Sequence, residues 1–383
     1  MVQMTPPMGW NSWNTFGPNI NEELLKTAAD ALVDTGLADA GYNYLVIDDC
    51  WALKQRDENG RLVADPVKFP NGIKAVSDYV HSKGLKFGIY SCAGTMTCAQ
   101  YPGSYEYEFI DAATFAEWGV DFLKYDYCFT PAFEHGELLY RRMGLALANC
   151  GRDILFSACS WGNDDTKSWI KTTGAHMWRS THDVFDSWES IKTRLREQFD
   201  VLHYNGQGCF NDMDMLVVGM NGKGNVGITP SSFTQYRTHF TMWSLFGSPL
   251  MIGCDIRKAD KETLDLLKNK EVLAIDQDPA YRQPFMVGGF RNWHVGNDQD
   301  HFTFAKFLAN GDIAIGMFNL SDDPANLFFH LTELGLTRGC GVKLAMKELW
   351  SGEKTESRDG MFTTTIGKHD CRIYRCRLVK DGE

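Results

Sequence analysis

Along residues 1 to about 278 the hydrophobic pattern changes period again and again. Short apolar runs rich in β-branched and aromatic residues alternate with longer stretches whose apolar positions recur every three or four residues. The runs at 8–10, 44–47, 86–90, 122–125, 154–157, 176–179, 213–217 and 250–252 read as strands. A helix is expected over 22–38, with Leu24, Leu25, Ala28 and Leu32 on one face and Asn21 as its N-cap. Others are expected over 187–202 and 231–245. The last follows Thr229-Pro230, and proline suits a helix start, with Thr229 as the cap. Eight strands, each followed by a helix, fit a (β/α)8 TIM barrel. A doubly wound sheet has the same alternation and stays open on pattern alone.

The rhythm changes near Asp276-Gln277-Asp278-Pro279. Beyond about 292 come short alternating runs at 301–307, 313–318 and 344–349, with turn signals at Asn310-Gly311-Asp312 and Ser351-Gly352. The expected division is a barrel over 1–278, a linker over 279–291, and a C-terminal antiparallel β-sandwich over 292–383. No internal repeat or low-complexity tract interrupts it.

Composition narrows the function. The 383 residues are 44% hydrophobic and 23% charged, enough for a large core and ordinary for a globular chain. A net charge of −11 disfavours nucleic acid as a partner. No run is apolar enough to cross a membrane, and the first residues lack a basic, then apolar, leader. The location expected is cytoplasmic, with a trimmed secreted protein as the alternative. The 11 cysteines are scattered and form no CxxC pair, so a structural zinc site is not expected. Aromatic residues reach 13%, which suits a large core or a sugar site equally.

In a barrel the chemistry sits at the C-terminal ends of the strands. Here those ends carry Asp48-Asp49, Tyr90, Lys124-Tyr125-Asp126, Trp178-Arg179 with Asp183 close behind, and Asp212 and Asp214. One acid after a strand is an ordinary turn former. Acids after four strands, beside aromatic and basic residues, describe a polar pocket with aromatic walls. Lys124 and Asp126 are two apart and project to one side of an extended segment. The lysine is expected to lower the Asp126 pKa, as a nucleophile needs, or to form a structural ion pair. A general acid such as Asp183 needs the opposite tuning.

These residues fall in a familiar series. It comprises Met8-Gly9-Trp10-Asn11-Ser12-Trp13, Asp48-Asp49-Cys50-Trp51, Gly88-Ile89-Tyr90-Ser91, Tyr101-Pro102-Gly103-Ser104, Phe122-Leu123-Lys124-Tyr125-Asp126, Trp178-Arg179 with Asp183, Asn211-Asp212-Met213-Asp214-Met215-Leu216 and Ser248-Pro249-Leu250-Met251-Ile252-Gly253. The chain resembles glycoside hydrolase family 27, the α-galactosidase and α-N-acetylgalactosaminidase family, along nearly its whole length. The resemblance implies a retaining exo-glycosidase acting on terminal α-galactosyl residues, on a barrel with a C-terminal β domain. It implies Asp126 as nucleophile and Asp183 as acid/base, with no metal or organic cofactor needed. Asp48 and Asp49 would bind the sugar 4-OH and 6-OH, and Trp10 would stack on the sugar face. Tyr90, Lys124, Arg179 and Asp214 would complete the polar shell. Cys98, Cys159, Ser160 and Met215 would line the same site. Cys98 and Cys128 align with a family disulfide, at odds with a reducing cytoplasm.

The chain departs from the family pattern at several points. Ser160 stands where many members have Glu, as in those that accept a 2-acetamido sugar, but Asn163 is larger than their usual partner. The sugar therefore stays open between galactose and N-acetylgalactosamine, with galactose preferred. Met213 replaces a common Pro, Cys50 lacks a partner, and Cys92 replaces a common Asp. The run Gly222-Lys223-Gly224-Asn225-Val226-Gly227 matches GxGxxG, but no acid follows at the distance a dinucleotide site needs. It reads better as a barrel loop. His176 and His182 near Asp183 and Asp186 fit no standard metal spacing. A silent sugar-binding protein would need the loss of Asp126 or Asp183, and both are present. The C-terminal domain leaves homo-oligomerisation open.

Overall fold

The computed structural model describes residues 5–288, 300–337, 339–357 and 360–380. Eight parallel strands carry the first part of the chain: β1 (Met8–Asn11), β2 (Tyr44–Val46), β3 (Lys86–Cys92), β4 (Phe122–Asp126), β5 (Leu155–Cys159), β6 (Met177–Arg179), β7 (Phe210–Asp212) and β8 (Leu250–Ile252). They lie in the order β7-β6-β5-β4-β3-β2-β1-β8. The sheet closes just beyond β7. Leu216 bridges Ile252 in parallel, with its N–H to the Met251 carbonyl at 2.8 Å and its own carbonyl accepting from Gly253 at 2.9 Å. The result is a (β/α)8 barrel. Its strands are buried almost throughout, as parallel strands covered on both faces must be.

The strand expected at 213–217 begins earlier, at Phe210. Asp214 has φ 81, in the left-handed region, and this breaks the extended run. The apolar residues after it are buried as expected, but only Leu216 pairs. The first expected helix runs Glu22–Asp34, with the Asn21 side chain accepting from the Leu24 N–H at 2.8 Å. The second runs Trp188–Arg196, with Ser187 as N-cap. The third starts two residues later than expected, at Phe233. Ser232 and Gln235 form a reciprocal capping box there, so Thr229 is not the cap and Pro230 precedes the helix.

By contact the chain forms two compact units, Met1–Pro230 with Pro249–Lys268, and Ser231–Ser248 with Asn269–Glu383. The helix Phe233–Phe246 thus groups with the C-terminal strands although it follows β7 in sequence. The expected boundary at 292, and the last three residues of the expected linker, lie outside the described residues.

In the second unit, β9 (Phe285–Met286), β10 (His301–Phe307), β11 (Ile313–Asn319), β12 (Ala325–His330), β13 (Val342–Glu348), β14 (Lys354–Ser357), β15 (Met361–Ile366) and β16 (Cys371–Lys380) follow in turn. Six form an antiparallel sheet in the order β14-β13-β16-β11-β10-β9, and β12 pairs with β15. Ile315, Met317, Phe329, Leu344, Ile366 and Tyr374 share one buried core, which makes this an antiparallel sandwich. Among the described residues no helix is long and apolar enough to cross a membrane.

Candidate active site

The C-terminal strand ends surround a cavity of about 180 Å3. Its wall includes Asp48 and Asp49 after β2, Tyr90 in β3, Cys98 in the following loop, Lys124 and Asp126 in β4, Arg179 in β6, and Asp183, Asp214 and Met215 beyond. These expected residues, from six segments far apart in sequence, therefore meet in one place.

Asp126 is buried, and both its oxygens are held. The Tyr90 hydroxyl donates to Oδ2 at 3.0 Å, and the Tyr127 N–H donates to Oδ1 at 3.0 Å. The Trp51 indole N–H, donating to the Tyr90 carbonyl at 2.9 Å, fixes the strand that presents that hydroxyl. Lys124 pairs with Asp48, Nζ to Oδ2 at 2.7 Å, rather than with Asp126. Asn11 donates to the same Asp48 oxygen at 2.8 Å. Asp49 accepts from Thr97 Oγ1 at 3.0 Å and from the Ala99 N–H at 2.9 Å, so it anchors the loop that carries Cys98.

Arg179 holds two further acids of the cavity. Its Nη1 pairs with Asp214 Oδ1 at 2.9 Å and its Nη2 with Asp183 Oδ1 at 2.8 Å. Asp214 also accepts the Val184 N–H at 2.7 Å, and its own N–H donates to Asp212 Oδ1 at 2.9 Å. The left-handed backbone at Asp214 is thus held from both sides, and it aims one carboxylate at Arg179 and at the segment bearing Asp183.

The electrostatics differ from the sequence expectation. Burial pushes the Asp126 carboxyl up to about 6, and the Lys124 charge only partly opposes it. The expected net lowering by Lys124 is therefore reversed, because desolvation of a fully enclosed carboxylate outweighs a cation already engaged by Asp48. Asp183 stands at the mouth with 58% of its side chain exposed, over a wall dense enough to desolvate it in part. That desolvation raises its pKa, but the charge and hydrogen bond of Arg179 win and leave it below the usual carboxylate range. Of the two acids, Asp126 therefore holds a proton more readily. Burial also raises Asp49 and Asp214, and carries Asp212 to about 7.

Three expected wall residues are placed elsewhere. Trp10 is fully buried inside the barrel, and its indole donates to the Cys254 carbonyl at 2.8 Å. Trp13 lines the cavity where Trp10 does not. The strand ends at Asn11, so Trp13, two residues beyond the end, faces the rim and Trp10, within the strand, faces the core. Ser160 is buried with its hydroxyl 2.6 Å from that of Thr166, and the neighbouring Trp161 lines the cavity instead. Trp161 has φ 55, which turns its side chain away from the direction a strand would give it. Cys159 lies below the cavity, its sulfur 3.7 Å from Arg179 Nη1. It lines a separate space of about 20 Å3 with Asp212, Asp214 and Lys124.

The sequence reading missed Asn14, Phe185, Asn225 and Val226, which also line the site. Asn225 and Val226 belong to the glycine-rich loop after β7. That loop is tied down by the Gly222 N–H donating to Asp186 Oδ2 at 2.6 Å, and by the Val226 N–H donating to the Asn14 carbonyl at 3.0 Å. Gly224 has φ 86, and a Cβ there would sit 2.7 Å from the Thr15 backbone. The glycines serve close approach of two loops. His176 accepts the Phe156 N–H at the start of β6, the end of the strand remote from Asp183.

Cys98 and Cys128 are joined as a disulfide that ties the loops after β3 and β4. Cys92 completes this junction by donating its thiol to the Cys128 carbonyl at 3.1 Å. Cys50 is a free, buried thiol.

Residues 5–278 match the family model described as alpha galactosidase A, and 298–376 match the alpha galactosidase C-terminal beta sandwich domain. The chain belongs to the α-galactosidase family of glycoside hydrolases. It is 42% identical to alpha-galactosidase 3 of Arabidopsis thaliana over 371 residues, covering 97% of this chain and 81% of that protein. The crystal structure of alpha-galactosidase I from Mortierella vinacea superimposes with a TM-score of 0.86 at 33% identity, covering 97% of this chain and 96% of that one. An α-galactosidase of Saccharomyces cerevisiae solved with raffinose gives a TM-score of 0.85 at 28% identity, covering 98% of each chain. Membership of the family accounts for the barrel, the sandwich and the convergence of acids at one rim.

Proposed function

We propose that this α-galactosidase removes terminal α-D-galactosyl residues by double displacement with retention, through Asp126 as nucleophile and Asp183 as acid/base. The observation that carries the reading is the contrast between two acids that line the same cavity. Asp126 is buried and gripped at both oxygens, as an attacking group of fixed position should be. Asp183 is at the mouth, where it can reach a leaving oxygen and then a water from solvent. A cavity of about 180 Å3 suits one sugar ring, so the attack is exo. In retaining enzymes the two carboxyl groups lie about 5–5.5 Å apart and the first forms a glycosyl-enzyme ester.

Asp126 attacks the anomeric carbon while Asp183 gives its proton to the leaving oxygen. Asp183 then takes a proton from water, which attacks the ester from the vacated side. Asp48 and Asp49, fixed by Lys124 and by the 97–99 loop, accept hydrogen bonds from sugar hydroxyls. The chemistry requires Asp126 ionised and Asp183 protonated, the reverse of that order. A bound sugar displaces water from Asp183 and raises its pKa, and the proton moves across. Raffinose, present in the yeast structure, belongs to the class of substrate expected.

The test is the first product anomer by proton NMR, which should be α-galactose. Asp126→Ala should lose about 10⁴-fold or more in turnover, and azide should restore part of it as β-galactosyl azide. A β-galactose first product, or near wild-type turnover in Asp126→Ala, would overturn the assignment.

A further inference from the structure

The segment after β6 presents a side chain that the mechanism does not use. From Asp183 to Asp186 exposure alternates: Asp183 and Phe185 face the mouth, whereas Val184 and Asp186 are buried. That is the two-residue period of an extended chain, so Phe185 projects on the same side as the proposed acid/base. Phe185 lines the cavity and is 41% exposed. Among the cavity-lining residues it is the large apolar side chain left most open to solvent.

Its backbone is not loose. The Val184 N–H donates to Asp214 Oδ2 at 2.7 Å, the Phe185 N–H to Ser190 Oγ at 2.9 Å, and the Asp186 N–H to the Val226 carbonyl at 3.0 Å. The Phe185 carbonyl accepts from Ser187 at 2.8 Å. An apolar ring held in water by a pinned backbone has little entropy left to lose when something covers it. The group that covers it is fixed by chemistry. Asp183 protonates the leaving oxygen, so the leaving group lies on the Asp183 side of the bound galactose, where Phe185 stands.

We propose that Phe185 is an aglycone-selecting residue: its ring packs against the apolar C–H face of a leaving group that is itself a sugar ring. This rests on the assignment of Asp183 as the acid/base. The ring makes no contact with a leaving group too small to reach it, so its contribution appears as preference among α-galactosides.

The experiment compares kcat/KM for melibiose with that for methyl α-galactopyranoside in wild type, Phe185→Ala and Phe185→Trp. The melibiose-to-methyl ratio should fall about tenfold in Phe185→Ala and return to within about threefold of wild type in Phe185→Trp. A ratio unchanged in Phe185→Ala overturns the proposal while leaving the catalytic reading intact. Hydrolysis of neither substrate by wild-type protein overturns that reading, and this proposal with it. Melting temperatures of the variants, expected to match wild type because the ring is exposed, separate a lost contact from a lost fold.

Discussion

Asp126 is ionised at a cost. Its pKa in the folded chain, about 6, lies above the ordinary value of 3.8, because burial outweighs Lys124. A group shifted in this direction contributes stability while protonated. That contribution is complete below about pH 4 and is lost as pH rises through about 6. Replacing the charge should therefore stabilise the protein where the charge exists. Asp126→Asn is expected to unfold about 1–3 kcal/mol harder than wild type at pH 8 and to show no gain at pH 4, by urea titration at both values. Equal effects at the two pH values would contradict it. The same shift sets the alkaline limb of wild-type kcat/KM near pH 6, above which the two acids have lost the one proton that Asp183 must give to the leaving oxygen.

At the scale of elements, the site depends on loops pinned to one another rather than on the strands alone. The disulfide joins residues 30 apart in sequence, and Gly94 makes the junction close enough. A Cβ on Gly94 would lie 2.0 Å from the Cys128 carbonyl. Asp49 grips the residue next to Cys98, so loosening this loop loosens a sugar-binding carboxylate. Cys128→Ser should cost about 3–4 kcal/mol of stability in the chain-entropy account. It should also lower kcat/KM at temperatures where the fold persists. Thermal melts beside initial rates test both. Full activity in the variant would mean that the Asp49 anchor suffices without the bond.

At the scale of the whole molecule, the barrel unit contains every residue of the cavity, since the lining runs only from Trp13 to Val226. Ligand binding should therefore stabilise that unit by mass action. Galactose at one hundred times its dissociation constant should add about 2.7 kcal/mol to unfolding. N-acetylgalactosamine at the same concentration should add much less. A larger shift with the acetamido sugar would show that the wall near Trp161 leaves room at the sugar 2-position, despite Ser160 being turned away toward Thr166.

Sequence alone determined much of this protein because its main signals are local. Alternating periods mark eight strands and the helices between them. Side-chain caps such as Asn21 and Ser187 use groups a few residues away. The rule that chemistry follows strand ends singled out Asp48, Asp49, Asp126, Arg179, Asp183 and Asp214, and the fold brought all six around one cavity. What stayed hidden depends on distances that no spacing encodes. A left-handed φ at Asp214 moved β7 upstream, and one at Trp161 exchanged Ser160 for its neighbour on the wall. Trp13 replaced Trp10 because β1 ends at Asn11, which leaves Trp10 within the strand and Trp13 two residues beyond it at the rim. The order of the two acid pKa values required knowing that Lys124 is engaged by Asp48 and that Arg179 reaches Asp183. Only the tertiary structure could decide these, because desolvation and pairing depend on what the rest of the chain places within a few ångströms.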